Sequence, residues 1–119
     1  MKLENNPLQN KSYDFAILIV KLARRLMKNN REYILSKQLL RSGTSVGANI
    51  VEANGAISKA DFSAKMSIAY KESLETKYWL HLLKDVDDIM EYEFKDLHFK
   101  IDEISKILFS ILKNTRINK

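Results

Sequence analysis

Arg41-Ser42-Gly43-Thr44-Ser45-Val46-Gly47-Ala48-Asn49-Ile50-Val51-Glu52-Ala53 is the stretch on which the fold turns. Two glycines among hydroxyl residues suggest a loop that cradles phosphate. The same residues also suit a helix whose small side chains let a second helix approach closely. The flanking pattern selects the helix. Leu35, Leu39, Ser42, Val46, Asn49, Ile50 and Ala53 form one stripe at helical spacing, and Leu40, Thr44, Gly47 and Val51 form a second. The loop reading also lacks the Lys-Ser/Thr ending of a nucleotide P-loop. This helix is predicted from about Glu32 to Asn54, with Gly55 as its C-terminal cap.

Three more helices follow from the same periodicity. Phe15, Ala16, Ile19, Val20, Leu22, Ala23, Leu26 and Met27 share a face of a helix running from about Leu8 to Asn29, and Asn29-Asn30 supplies a stop. Ser58 and Asp61 open a third helix, capped by the serine hydroxyl, that lasts to about Lys84. Its core face is Phe62, Met66, Ala69, Ser73, Thr76, Leu80 and Leu83, and the acidic turn Asp85-Val86-Asp87-Asp88 ends it. Phe94, Leu97, Ile101, Ile104, Leu108, Ile111 and Leu112 line a fourth, from about Glu91 to Asn114. Short connections join all four, so the predicted fold is an all-α, antiparallel up-down-up-down four-helix bundle. It forms a single domain over residues 8–114, with flexible tails at 1–7 and 115–119.

Composition agrees with that reading. The chain has 119 residues, 45 % hydrophobic and 29 % charged, with three glycines and one proline. One globular domain fits these values, and a disordered chain does not. The absence of cysteine excludes disulfides and thiolate metal sites and points to a cytoplasmic setting. No N-terminal signal pattern is present, and the apolar run Phe15–Val20 is too short to span a membrane. The net charge of +5 is unevenly spread. Residues 1–84 carry 14 basic and 7 acidic groups, residues 85–103 carry 8 acidic and 2 basic, and residues 104–119 carry 4 basic.

The apolar stripes outnumber the faces that a monomeric bundle needs to bury. Leu40, Thr44, Gly47 and Val51 on the second helix, with Ile68, Trp79 and Leu82 on the third, are the expected subunit interface of a homo-oligomer. Tyr70, Leu74 and Tyr78 lie off another side of the third helix, and Ile17 and Leu18 lie towards the basic side of the first. Asn49 falls on the core stripe. As a buried polar group it needs a hydrogen-bond partner, for which Ser42, Ser45 and Ser73 are the candidates.

These residues also carry a family resemblance. Gln38-Leu39-Leu40-Arg41-Ser42 and Ser45-Val46-Gly47-Ala48-Asn49-Ile50-Val51-Glu52-Ala53 resemble the "QLRRAAxSIxANIAEG" signature of four-helix-bundle proteins encoded in intervening sequences of 23S ribosomal RNA genes. Asp61-Phe62, Ile68-Ala69 and Glu72-Ser73-Leu74-Glu75-Thr76 are similar to its "DFxxFLxIAxGSLxELE" continuation. That family in turn resembles the accessory protein of diversity-generating retroelements. The resemblance implies a four-helix bundle, a homopentamer, a nucleic-acid role without assigned chemistry, and family positions for Asn49 and Glu52. The chain departs where Ala53-Asn54-Gly55 replaces the Glu-Gly ending, and where Asn29-Asn30 stands in place of an aromatic-proline pair.

Lys21, Arg24, Arg25, Lys28 and Arg31 are spaced to share a helical face, and Lys37 and Arg41 form an i, i+4 pair on the next helix. Such strips bind phosphate backbones through counterion release, without reading sequence. RNA is therefore the expected partner, a merely solvated face is a reading of equal standing, and an acidic protein is the third. Catalysis has little support. His98 and Asp102 make a poor two-ligand metal site. Glu72 and Glu75 flank Ser73 without a nearby His in sequence. Asp85, Asp87 and Asp88 lack the Gly and terminal Glu of a calcium loop. No enzyme activity, cofactor, metal or membrane partner is expected.

Overall fold

The structure, a computed structural model, describes residues 1–117. Residues 118 and 119, the end of the expected C-terminal tail, lie outside the described residues. Four helices follow one another: α1 (Pro7–Asn29), α2 (Ile34–Asn54), α3 (Lys59–Asp85) and α4 (Glu91–Ile117). Each packs against its neighbour in sequence, and α1 closes the ring against α4. The result is an all-α four-helix bundle of 47 × 26 × 23 Å.

Helix ends follow local chemistry. Pro7 occupies the first turn of α1, where no amide is needed, and the Asn6 side chain accepts from the Gln9 amide at 3.1 Å. The start of α2 is less regular. Tyr33 stands at the cap without a side-chain bond, and the Glu32 carboxylate accepts from the amides of Leu35 (2.5 Å) and Ser36 (3.0 Å). Ser58 caps α3 by accepting from the Asp61 amide, while the Asp61 carboxylate accepts from the Ile57 amide. Two expected terminators work differently from the sequence reading. Gly55 caps α2 at φ −101°, outside the left-handed region. The left-handed residue after α1 is Arg31 (φ 53°), not an asparagine.

The end of α3 is a Schellman motif. The Asp88 amide donates to the Leu83 carbonyl (2.9 Å), the Asp87 amide donates to the Lys84 carbonyl (3.0 Å), and Asp87 is left-handed at φ 64°.

The core follows the predicted stripes. Phe15, Ile19, Leu22 and Leu26 from α1 meet Leu39, Val46 and Ile50 from α2, Met66, Leu80 and Leu83 from α3, and Ile101, Ile104 and Leu108 from α4. Buried hydroxyls cross-link three helices within it. Thr76 Oγ1 donates to Ser42 Oγ at 3.0 Å, and Ser105 Oγ donates to Ser73 Oγ at 2.7 Å. Ser42, Ser73 and Thr76 each also lie within hydrogen-bond distance of a backbone carbonyl on their own helix, so these polar groups remain satisfied at the centre.

The small residues of α2 bring α1 close. A Cβ added to Gly43 would lie 2.8 Å from Ile19 Cγ2, and one added to Gly47 would lie 3.3 Å from Ser12 Oγ. The close approach expected from the sequence is thus made inside the chain, along the α1–α2 seam.

Candidate nucleic-acid interface

The basic strip divides into two groups. Arg25 is held by a bidentate pair to Glu93 on α4, with Nη1 donating at 2.8 Å and Nη2 at 2.5 Å. Arg41 reaches across to α3, where Glu72 and Glu75 both accept from its guanidinium. These carboxylates raise the pKa of both arginines above the ordinary value, chiefly by accepting hydrogen bonds, Glu93 from Arg25 and Glu72 from Arg41. Two of the seven expected phosphate contacts are therefore occupied by intramolecular ion pairs. They tie α1 to α4 and α2 to α3.

Lys21, Arg24, Lys28, Arg31 and Lys37 are exposed. No described carboxylate lies within 4.0 Å of any of them. Lys21, Arg24 and Lys28 follow the i, i+3, i+7 rhythm along the outward side of α1. Arg31 sits at the turn, and Lys37 is one helical turn into α2. The remaining unpaired lysines among the described residues, Lys59, Lys71 and Lys113, are scattered over α3 and α4. Sequence spacing located the strip. Nothing in it revealed that Glu93, far along the chain, would claim Arg25.

The expected interface residues lie on α2 and α3. Leu40, Thr44, Gly47 and Val51 are half-buried on the side of α2 turned towards α1. Thr44, Gly47 and Val51 border a shallow groove with Ser12, Tyr13 and Ala16. Ile68 is exposed, and Trp79 and Leu82 are half-buried on α3. Trp79 packs against Tyr78 in an edge-to-face pair, and its indole Nε1 is buried without an acceptor. Asn49, expected in the core, lies at its edge. It is half-buried, and its Nδ2 donates to the Ser45 carbonyl (2.9 Å) and Ser45 Oγ (3.0 Å).

His98 and Asp102 are not coupled as a site. Asp102 accepts from Lys77 Nζ at 2.7 Å and pairs with Lys106 at 3.0 Å. These lysines hold its carboxyl at about 2, below the usual 3.8. His98 instead stands beside His81 (ring centroids 5.1 Å apart) and Phe94, and burial, then the His81 and Lys77 charges, lower its pKa. No cluster of three or more metal-ligating side chains occurs among the described residues, and no described helix is long and apolar enough to cross a membrane.

The Asp102 bridge makes a prediction about acid stability. Its folded pKa is depressed, so its contribution is present above about 4 and is lost as pH falls towards about 2. Asp102→Asn should remove that limb of the pH–stability curve. Because the pair is partly exposed, it should cost no more than about 1 kcal/mol at neutral pH. Urea melts of both proteins at pH 2.5 and 7 measure the difference. Parallel pH profiles would refute the assignment.

Comparison with known proteins agrees with this architecture. Residues 4–110 match the family described as 23S rRNA-intervening sequence protein. A crystal structure of a protein of unknown function from the S23 ribosomal protein family of Bacteroides thetaiotaomicron VPI-5482 superposes with a TM-score of 0.88 at 46 % identity, covering 89 % of this chain and 98 % of that one. No curated relative matches the chain. With the family pattern spanning all four helices, the chain belongs to the 23S rRNA-intervening sequence protein family.

Proposed function

We propose that this chain is a non-enzymatic, oligomeric accessory protein that binds RNA through charge. The observation that carries this reading is the run of exposed, unpaired cations between residues 21 and 37. Lys21, Arg24, Lys28, Arg31 and Lys37 have no described carboxylate partner, whereas most other basic side chains are paired. Unpaired cations in register attract phosphates without reading bases. The description of the family by 23S rRNA intervening sequences is in keeping with an RNA partner. In a homo-oligomer, assembled through the half-buried α2 stripe and Ile68, Trp79 and Leu82, the strip would repeat and gain avidity. Five copies follow from the family resemblance. The alternative is an assembly module that binds an acidic protein through the same cations.

The test is salt-dependent RNA binding by the wild type and by a Lys21→Gln, Arg24→Gln, Lys28→Gln variant. Arg25 is left in place because it holds Glu93. Removing three phosphate contacts from a single-stranded site should lower the slope of log K against log salt by about 2 and weaken binding across unrelated sequences. The variant should stay folded, because the changed residues are exposed and Gln keeps good helix propensity. Equal binding by the folded variant would exclude this face. An absence of wild-type binding at low salt would favour the protein-partner reading.

A further inference from the structure

The up-down-up-down order places the α1–α2 and α3–α4 turns at the same end of the bundle, where Asn30 Nδ2 donates to the Asp88 carbonyl (3.5 Å) and Oδ1 (3.4 Å). The two halves of this end carry opposite charge. The α1–α2 half presents Lys28, Arg31 and Lys37 without described carboxylate partners. Glu32 lies there too, but its carboxylate is engaged by the α2 amides. The α3–α4 half presents Asp85, Asp87, Asp88 and Glu91, of which Asp87 and Asp88 pair with no described cation. Large apolar side chains stand exposed between the charges: Tyr33 (51 %), Ile34 (76 %), Val86 (51 %), Met90 (67 %) and Tyr92 (74 %).

Two local features run against protomer stability. Asp85 and Asp87 lie at the negative end of the α3 dipole, where cations are preferred. Arg31 takes a left-handed backbone that Gly or Asn adopts more cheaply. Both place charge at the tip of a turn.

We propose that this end docks a second copy of the chain, end to end about a two-fold axis. Each basic half then faces the partner's acidic half, so the charge match forms twice, as an isologous contact requires. Tyr33 and Ile34 meet the partner's Val86, Met90 and Tyr92, which covers apolar side chains that water otherwise surrounds. A polyanion fits less well because the acidic half repels it, and a uniformly basic peptide is repelled by the other half. The end measures 26 × 23 Å in cross-section, below the ~800 Å² per partner of a standard interface. The contact is therefore weak, salt-sensitive and dependent on concentration.

The basic half shares Lys28, Arg31 and Lys37 with the RNA strip, whereas the acidic half lies outside it, so RNA-free protein and reversals at Asp87 and Glu91 test the docking separately from the RNA reading. Sedimentation velocity and small-angle scattering follow the wild type, Asp87→Lys/Glu91→Lys, Lys28→Glu/Arg31→Glu, and a 1:1 mixture of the two variants. The wild type should double its assembled mass with rising concentration and lengthen along the bundle axis from 47 Å towards about 90 Å. Each variant alone should lose the doubling, and the mixture should regain it with an affinity within about threefold of the wild type, because opposite reversals restore both charge matches. Asp87→Lys puts a cation at the α3 C-terminus, but Glu91→Lys puts one at the α4 N-terminus and takes the partner from Lys95, so protomer melting is followed beside docking and should change far less than docking does. If the reversal at Lys28 and Arg31 impairs folding, Lys28→Gln/Arg31→Gln with Asp87→Asn/Glu91→Gln provides neutral versions, each expected to weaken docking about tenfold. Wild-type protein that shows no doubling up to about 1 mM would overturn the proposal. So would variants that double as well as the wild type, or a mixture that does not recover. RNA binding retained by Asp87→Lys/Glu91→Lys would leave the RNA reading intact in any of these cases.

Discussion

Gly43→Leu is expected to prevent the bundle from folding, and Gly43→Ala to destabilise it by up to about 2 kcal/mol, the balance of overpacking against better helix propensity. A new Cβ at this position meets Ile19 Cγ2 at 2.8 Å and Cγ1 at 3.0 Å. Ile19 is fully buried and branched at Cβ, so it has little freedom to turn away. Overpacking costs about 1–3 kcal/mol, while replacing a helical glycine by alanine returns about 1 kcal/mol, so the steric term wins. Gly47→Ala is the control. Its Cβ would meet Ser12 Oγ at 3.3 Å beside a shallow groove, and a shift of a few tenths of an ångström relieves the contact. Its net effect should stay within about 0.5 kcal/mol, as at sites without cavity, strain or network damage. A double-mutant cycle sharpens the point. In an Ile19→Ala background the cost of Gly43→Ala should vanish, a coupling of about 1–2 kcal/mol. Thermal melts of the single and double variants measure it, and an Ala at 43 that stabilises the wild type would remove the clash from the argument.

That partnership shows where reading the sequence stops. The glycines of α2 announce a close helix, because each has a propensity cost that packing must offset. They do not announce which helix. The resemblance implied a homo-oligomer, and the extra stripe through Gly47 suggested another subunit, but the contacts shown at Gly43 and Gly47 are with α1 of the same chain. The core stripes were legible because helical period is local: Leu39, Val46 and Ile50, or Leu80 and Leu83, reveal their face within a turn or two. Ion pairs were not legible, because Arg25 and Glu93 have nothing local in common. Their meeting depends on the α1–α4 packing that closes the bundle. Cap chemistry lay between these extremes. Ser58 was readable from its spacing to Asp61, whereas the Glu32 carboxylate at the start of α2 matches no standard capping pattern.

Phe15→Ala is expected to cost about 3–5 kcal/mol, the range for deleting a buried aromatic side chain. Ile17→Ala, two residues away in the same apolar run, should cost less than about 1 kcal/mol, as surface changes do. The contrast rests on direction. Phe15 is 1 % exposed and belongs to the core, whereas Ile17 is 39 % exposed on the outer side of α1. The consequence of Phe15→Ala should also be local before it is global. The α1–α4 seam is the slimmest of the helix pairings, so α1 has fewer neighbours to hold it once the ring is gone. A domain stable by about 5–15 kcal/mol can survive such a loss with α1 loosened. Hydrogen exchange should then quicken in α1 and along α4 well before it quickens in α2 and α3, while denaturant melts report the total loss. Equal losses for Phe15→Ala and Ile17→Ala, or uniform acceleration across all four helices, would mean that α1 is fixed by contacts other than its core face. The Arg25–Glu93 pair would be the first to examine, because it is the bidentate ion pair spanning that seam.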